Sequence, residues 1–166
     1  MQRWNHVNLA VAPERMPLVE ECLDALFGWE KFVTRSTLIG WRLGPDLHDA
    51  ALYLRPVAAA GAVGDAIIRL RAGDAALDAG LAELDGADAD WRDHTGFQVG
   101  SVAEWEDRLA HATRLAAARP DLQIAVVDVL RPGDGRAATD YLYQAFIRVG
   151  LLGPLRNTFE MQARRA

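Results

Sequence analysis

Two histidines and one glutamate stand where they could act together. His6 opens the run HVNLAV, His94 opens HTGFQV, and Glu160 sits in FEMQ. In a β-strand, alternate side chains point to opposite faces. Val7, Leu9 and Val11 alternate with His6, Asn8 and Ala10, so His6 lies opposite the apolar face of its run. His94 has the same relation to Phe97 and Val99, and Glu160 to Phe159 and Met161. If the apolar faces pack under helices, the two imidazoles and the carboxylate all look out of the other side of the sheet. Two neutral imidazoles and one carboxylate bind a divalent first-row metal and leave positions open for a substrate or for oxygen. Open positions mark a catalytic rather than a structural metal site. An isolated buried glutamate is costly without a metal or a hydrogen-bond partner.

The elements that must position these residues read as a repeat. Residues 3–12 form a strand pattern. Pro13 suits the first turn of a helix, Val19, Leu23 and Leu26 recur at helical spacing, and Gly28 stops it. WEKFVT, TLIGWRL and AALYLRP follow as short strands, broken at Gly44-Pro45-Asp46. The first 57 residues thus read β-α-β-β-β. Residues 58–92 connect. VAAAGAVG reads as a loop, AIIRLRAG as a strand, and Asp74 as the cap of a short helix through Leu77, Leu81 and Leu84 ending at Gly86. ADADWRD returns to loop character.

The pattern restarts at 93. DHTGFQVG is a strand, and Ser101-Val102-Ala103-Glu104 is a capping box, with Ser and Glu side chains satisfying each other's backbone N–H. Val102, Trp105, Leu109, Ala112 and Ala116 form an amphipathic helix that ends near Arg119-Pro120. QIAVVDVL, YLYQAFIRV and RNTFEMQA are three further strands. His6 and His94 match at an offset of 88 residues, and LYLR matches FEMQ near the end of each half, which makes Tyr53 the counterpart of Glu160. The expected fold is α+β: two paired β-α-β-β-β modules forming a curved, cup-shaped mixed sheet with helices outside. Module one spans 1–57 and module two 93–166, within one domain.

Composition narrows the function. The chain has 166 residues, a size that buries a core without a metal or disulfide. With 18 basic and 23 acidic residues its formal charge is -5, which disfavours binding to nucleic-acid phosphates. The single cysteine, Cys22, excludes an intramolecular disulfide framework and reads as a small core residue. There is no signal-peptide pattern and no apolar run of the roughly 20 residues that cross a bilayer. The expectation is a cytoplasmic protein that acts on a small molecule, with no membrane or nucleic-acid partner and exposed sheet edges that permit a homodimer. No G-x-S-x-G elbow, phosphate loop or dinucleotide fingerprint offers a competing site.

The HVNLAV and HTGFQV strands, the two β-α-β-β-β units and the terminal FEMQ resemble the vicinal oxygen chelate superfamily, which includes glyoxalase I, extradiol dioxygenases, fosfomycin-resistance enzymes and bleomycin-resistance proteins. The resemblance implies that two modules close around a metal held by residues of the first and last strands. By position it gives His6, His94 and Glu160 as ligands. The fourth ligand of glyoxalase-like members, usually Glu, falls on Tyr53, and a neutral tyrosine is a poor ligand. The remaining two-His-one-Glu set is more like the extradiol dioxygenases and fosfomycin enzymes than glyoxalase I. The turn before the last strand is longer than the family's, and the span His94–Glu160 exceeds His6–Tyr53 by 19 residues (66 against 47).

The leading expectation is therefore a metal-dependent enzyme acting on vicinal oxygens of a small substrate. Dioxygenase chemistry comes first and glyoxalase-like isomerase or lyase chemistry next. The metal is Fe(II) by preference, or Mn, Ni, Co or Zn. Tyr53 and Tyr143 are the candidate acids or hydrogen-bond donors, with Tyr141 a further lining residue. Gln162 shares the face of Glu160 and could orient it. Trp4 could flank the cavity, and Arg148 and Arg156 could meet an anion. His48 and His111 read as solvated. The alternative is a metal-free protein that sequesters an antibiotic or metabolite.

Overall fold

The structure is a computed structural model that describes residues 6–44, 50–86, 94–137, 139–153 and 158–165. Module one contains β1 (His6–Val11), α1 (Met16–Phe27), β2 (Lys31–Arg35), β3 (Leu38–Arg42) and β4 (Ala51–Pro56). Two helices, α2 (Ala58–Gly73) and α3 (Ala75–Gly86), follow. Module two contains β5 (Thr95–Gln98), α4 (Val102–Ala118), β6 (Ile124–Leu130), β7 (Leu142–Val149) and β8 (Thr158–Arg164). Each module makes one four-stranded sheet, in the orders β1-β4-β3-β2 and β5-β8-β7-β6. In each, the first strand runs parallel to the last and the other neighbours are antiparallel. The two sheets therefore repeat one topology, as the paired HVNLAV and HTGFQV runs predict. They remain two open sheets, with helices on their outer faces.

Local chemistry explains the boundaries. Pro13 begins a 3-10 turn that leads into α1, and Gly28 closes α1 at φ 58°, a left-handed conformation that glycine adopts without strain. Ser101 Oγ accepts the Glu104 N–H at 3.1 Å, a cap worth about 1 kcal/mol. The return bond differs by one residue from the expected box: Glu104 Oε2 accepts from the Gly100 N–H at 3.0 Å.

The connecting segment is where sequence and structure part. VAAAGAVG is not a loop and AIIRLRAG is not a strand; together they form α2. Its alanines are the strongest helix formers, and the β-branched Ile67-Ile68 pair that suggested a strand does not outweigh them. Gly61 marks a close approach rather than a break, because a Cβ there would lie 3.0 Å from Ala12 Cβ. Asp74 does cap α3, accepting the N–H groups of Ala76 and Leu77. ADADWRD lies outside the described residues.

The main core is shared by both modules. Val19, Cys22, Leu23, Leu26 and Phe27 of α1 pack on Trp41, Leu52 and Leu54 of the first sheet. The same cluster takes in Leu122, Ile124, Ile147, Val149 and Phe159 of the second module. A smaller cluster seats Trp105 and Leu109 of α4 on Ala145, Met161 and Ala163. Polar bonds fix both helices: Trp41 Nε1 donates to Asp24 Oδ1 at 2.7 Å, and Trp105 Nε1 to the Met161 carbonyl at 2.8 Å. Arg108 then donates to the Phe27 carbonyl at 2.6 Å, and His111 Nε2 lies 2.6 Å from the Ala25 carbonyl. A cation or N–H at the C-terminus of α1 satisfies carbonyls that the helix leaves open. Burial pushes the Cys22 thiol up to about 12.

Candidate functional site

The strand alternation holds at each end of the site. In β1, Leu9 and Val11 are buried while His6, Asn8 and Ala10 are exposed. His94 directly precedes β5, whose register sets it level with Thr158 at the start of β8. β1 and β5 are both edge strands of their sheets. A cavity of about 590 Å³ lies between them, and His6, Asn8, Leu43, His94 and Thr158 are among its walls. The two histidines singled out by the repeat thus line one cavity.

Glu160 is only 3% exposed, yet its carboxylate is well partnered. Gln144 Nε2 donates to Oε1 at 2.7 Å, and Gln162 Nε2 donates to the same oxygen at 2.6 Å. The other oxygen, Oε2, lies 3.0 Å from His94 Nε2. Three nitrogen donors offset the several kcal/mol that burying an unpartnered carboxylate would cost. Phe146 meets the His94 ring edge-on at 5.5 Å between centroids, which limits how the imidazole can turn. Gly96 leaves room on the other side: Glu160 Oε2 would lie 3.2 Å from a Cβ at that position.

Module one carries a different surface at the equivalent place. Tyr53 lies over Gly40, with its ring carbons 2.9 Å from where a Cβ would be. It meets the His6 ring at 5.7 Å and the Phe32 ring at 5.8 Å. Arg42 covers the Phe32 ring at 5.6 Å. The face is an aromatic row with a cation beside it.

The remaining candidates divide. Gln162 orients Glu160, as its shared face suggested. Tyr143 stands on the helix side of the second sheet, edge-on to Trp105 at 5.4 Å, away from the face of Glu160. Tyr141 is half exposed. Arg148 pairs in register with Thr158. His111 bonds to α1 rather than only to solvent. Trp4, His48 and Arg156 lie outside the described residues. Gln144 was not foreseen. Its signal was present, since Gln144 alternates with Ala145 and Ile147 and so shares the face of Phe146.

A metal centre requires His6, His94 and Glu160 to converge. Their donor types suit a divalent metal. Among the described residues, however, no three His, Cys, Asp or Glu side chains are grouped to hold one. His94 and Glu160 are together, while His6 shares their cavity without joining them. Oε1 of Glu160 is already taken by two amides. As arranged, the residues do not fit a three-ligand centre. Among the described residues no helix is long and apolar enough to cross a membrane.

No protein-family model matches the sequence, and no curated protein matches it. Solved structures do match. A lactoylglutathione lyase from Agrobacterium tumefaciens superposes with a TM-score of 0.52 at 16% identity, over 98% of this chain and 94% of that one. An integron cassette protein from the mobile metagenome of V. cholerae gives 0.51 at 12%, over 98% and 95%. A Bacillus anthracis protein assigned to the glyoxalase family gives 0.51 at 11%, over 99% and 97%. With its two β-α-β-β-β sheets, the chain has the fold of the glyoxalase-like, vicinal oxygen chelate superfamily.

Proposed function

We propose that the protein binds a small molecule in the cavity between β1 and β5 and acts on it through His94, with Glu160 as the group that orients His94. The observation that carries this is His94 on the cavity wall with the buried Glu160 carboxylate against it, held in turn by Gln144 and Gln162. A buried carboxylate against an imidazole sets its tautomer and direction, the arrangement that suits a proton-transfer histidine. Glu160 plays this part from within the protein, so no step here needs a metal. Tyr53, on the opposite module, meets His6, which lines the same cavity, ring edge to ring.

A second reading keeps the metal expected from the sequence. It rests on His6 and His94 lining one cavity with Glu160 Oε2 facing His94. In that reading a side-chain rearrangement brings His6 to the pair, and Fe(II), Mn, Ni, Co or Zn completes the site.

The test is an NMR screen of oxygenated small molecules against chelator-treated protein, following the His6 and His94 ring signals. The proposal expects ligands that move both signals and lose at least about tenfold in affinity with His94→Ala, the effect of one charge-assisted contact. Binding that appears only after adding one of these metals, with stoichiometric metal retained and lost in Glu160→Ala, would establish the second reading instead.

A further inference from the structure

The main cavity has a neighbour along β1. A second cavity of about 450 Å³ shares Asn8 and Leu9 with it and continues along the edge of β1 to Ala10. Its other walls are apolar: Ala60, Val63 and Ile67 of α2, and Leu152 beyond β7. From His6 to Ala10 the strand advances about 13 Å, at about 3.3 Å per residue. One end of this path holds two imidazoles and a threonine, and the other holds alkyl groups. The helix that forms the far wall is under-used by the protein itself. Among its described residues none is buried, and Val63 remains 53% exposed. Apolar surface left open beside a polar cavity marks a ligand-binding groove.

We infer that the ligand is an amphipathic molecule. Its neutral oxygenated head sits against His6, His94 and Thr158, and its unbranched aliphatic tail runs past Asn8 into the channel between β1 and α2. A neutral head is favoured because the carboxylate of Glu160 stands immediately behind His94 and would repel an anion. The tail channel gives affinity through apolar burial, which grows with each methylene until the channel is full. This inference rests on the proposed binding site and adds the substrate class.

The experiment titrates chelator-treated full chain with a series of 1,2-alkanediols from about four to about ten carbons, read by NMR at the His ring signals and at the α2 methyls. Affinity is expected to rise roughly fourfold per methylene, from about 0.8 kcal/mol each. Ala60→Leu, which narrows the channel at a half-buried helix position, should flatten that rise and leave the shortest diol unchanged. Ile67→Ser should reduce the slope without blocking the channel, and guards against a packing artefact in the first variant. If the His signals respond to 1,2-butanediol but affinity stays flat with chain length, the tail channel is overturned and the head site stands. If no diol moves the His signals, the head site fails, and the inference falls with it even where longer diols shift the α2 methyls.

Discussion

At the centre of the first sheet, Tyr53 pairs with Asn8 on one side and Gly40 on the other. At the centre of the second, Glu160 pairs with Gly96 and Phe146. The two positions are equivalent in topology, and the glycine has changed sides. Tyr53 lies over the missing Cβ of Gly40, on the β3 side. Glu160 turns its Oε2 over the missing Cβ of Gly96, on the β5 side, where His94 stands. Phe146 occupies the flank that Gly40 leaves empty. Where the small residue sits thus decides which neighbour the central side chain meets. One module presents rings, and the other a buried carboxylate with three donors.

The largest way to break this contrast is Glu160→Ala. It leaves the buried Gln144 amide and the half-buried Gln162 amide without their acceptor, and should cost about 3 kcal/mol in urea unfolding. Tyr53→Ala, at a half-buried ring, should cost about half as much. A result in which the tyrosine matters more would invert the reading of the two faces.

Next comes Gly40→Ala. Its new methyl would stand 2.7 Å from Val33 Cγ1 and 2.9 Å from the Tyr53 ring. A loss of about 2 kcal/mol is expected, partly recovered in the double variant with Tyr53→Ser. A coupling energy below about 0.5 kcal/mol would show that the ring does not need the glycine.

Gly96→Ala should be gentler on stability, about 0.5 kcal/mol, because only one side-chain oxygen, Glu160 Oε2 at 3.2 Å, must yield by a few tenths of an ångström. Its signature is local: the His94 ring signals should shift as Oε2 is displaced. Unchanged His94 signals would separate the glycine from the pair.

The smallest effect concerns acid. Asp128 of β6 pairs in register with Phe146, where module one has Val33 opposite Gly40. The Arg136 guanidinium holds the Asp128 carboxyl below the usual carboxylate range, and the Val129 N–H adds to this against the opposing effect of burial. A depressed folded value means the stabilisation is complete above the unfolded value of about 3.9 and is lost as pH falls through the folded one. Asp128→Asn should therefore flatten the acid limb of the stability curve by about 0.3 kcal/mol, modest because Arg136 is largely exposed. An identical acid limb in the variant would assign that loss to other carboxylates.

What the sequence made legible follows from period and repetition. Alternation in HVNLAV and FEMQ gave the open-face positions of His6 and Glu160, since a strand offers only two faces. The matching strand-helix starts gave the two modules. The glycine exchange was hidden, because register between distant strands is set by packing and not by local pattern. Gln144 escaped for the same reason: only pairing with Gln162 brings it to the carboxylate. The α2 segment misled because Gly61 and the paired isoleucines carry local signals of turn and strand, while the alanines around them decide the outcome.

The shared core has a consequence for how the chain is made. Helix α1 is complete at Phe27, yet its inner face shares one core with Ile147, Val149 and Phe159, which are translated about 120 residues later (147 against 27). Until they arrive, Leu23, Leu26 and Phe27 lack those neighbours, and the nascent first module presents part of that surface to the cell. Folding during synthesis should therefore leave that surface open until the strands of module two emerge, and the window for chaperone capture is set by the time needed to translate them.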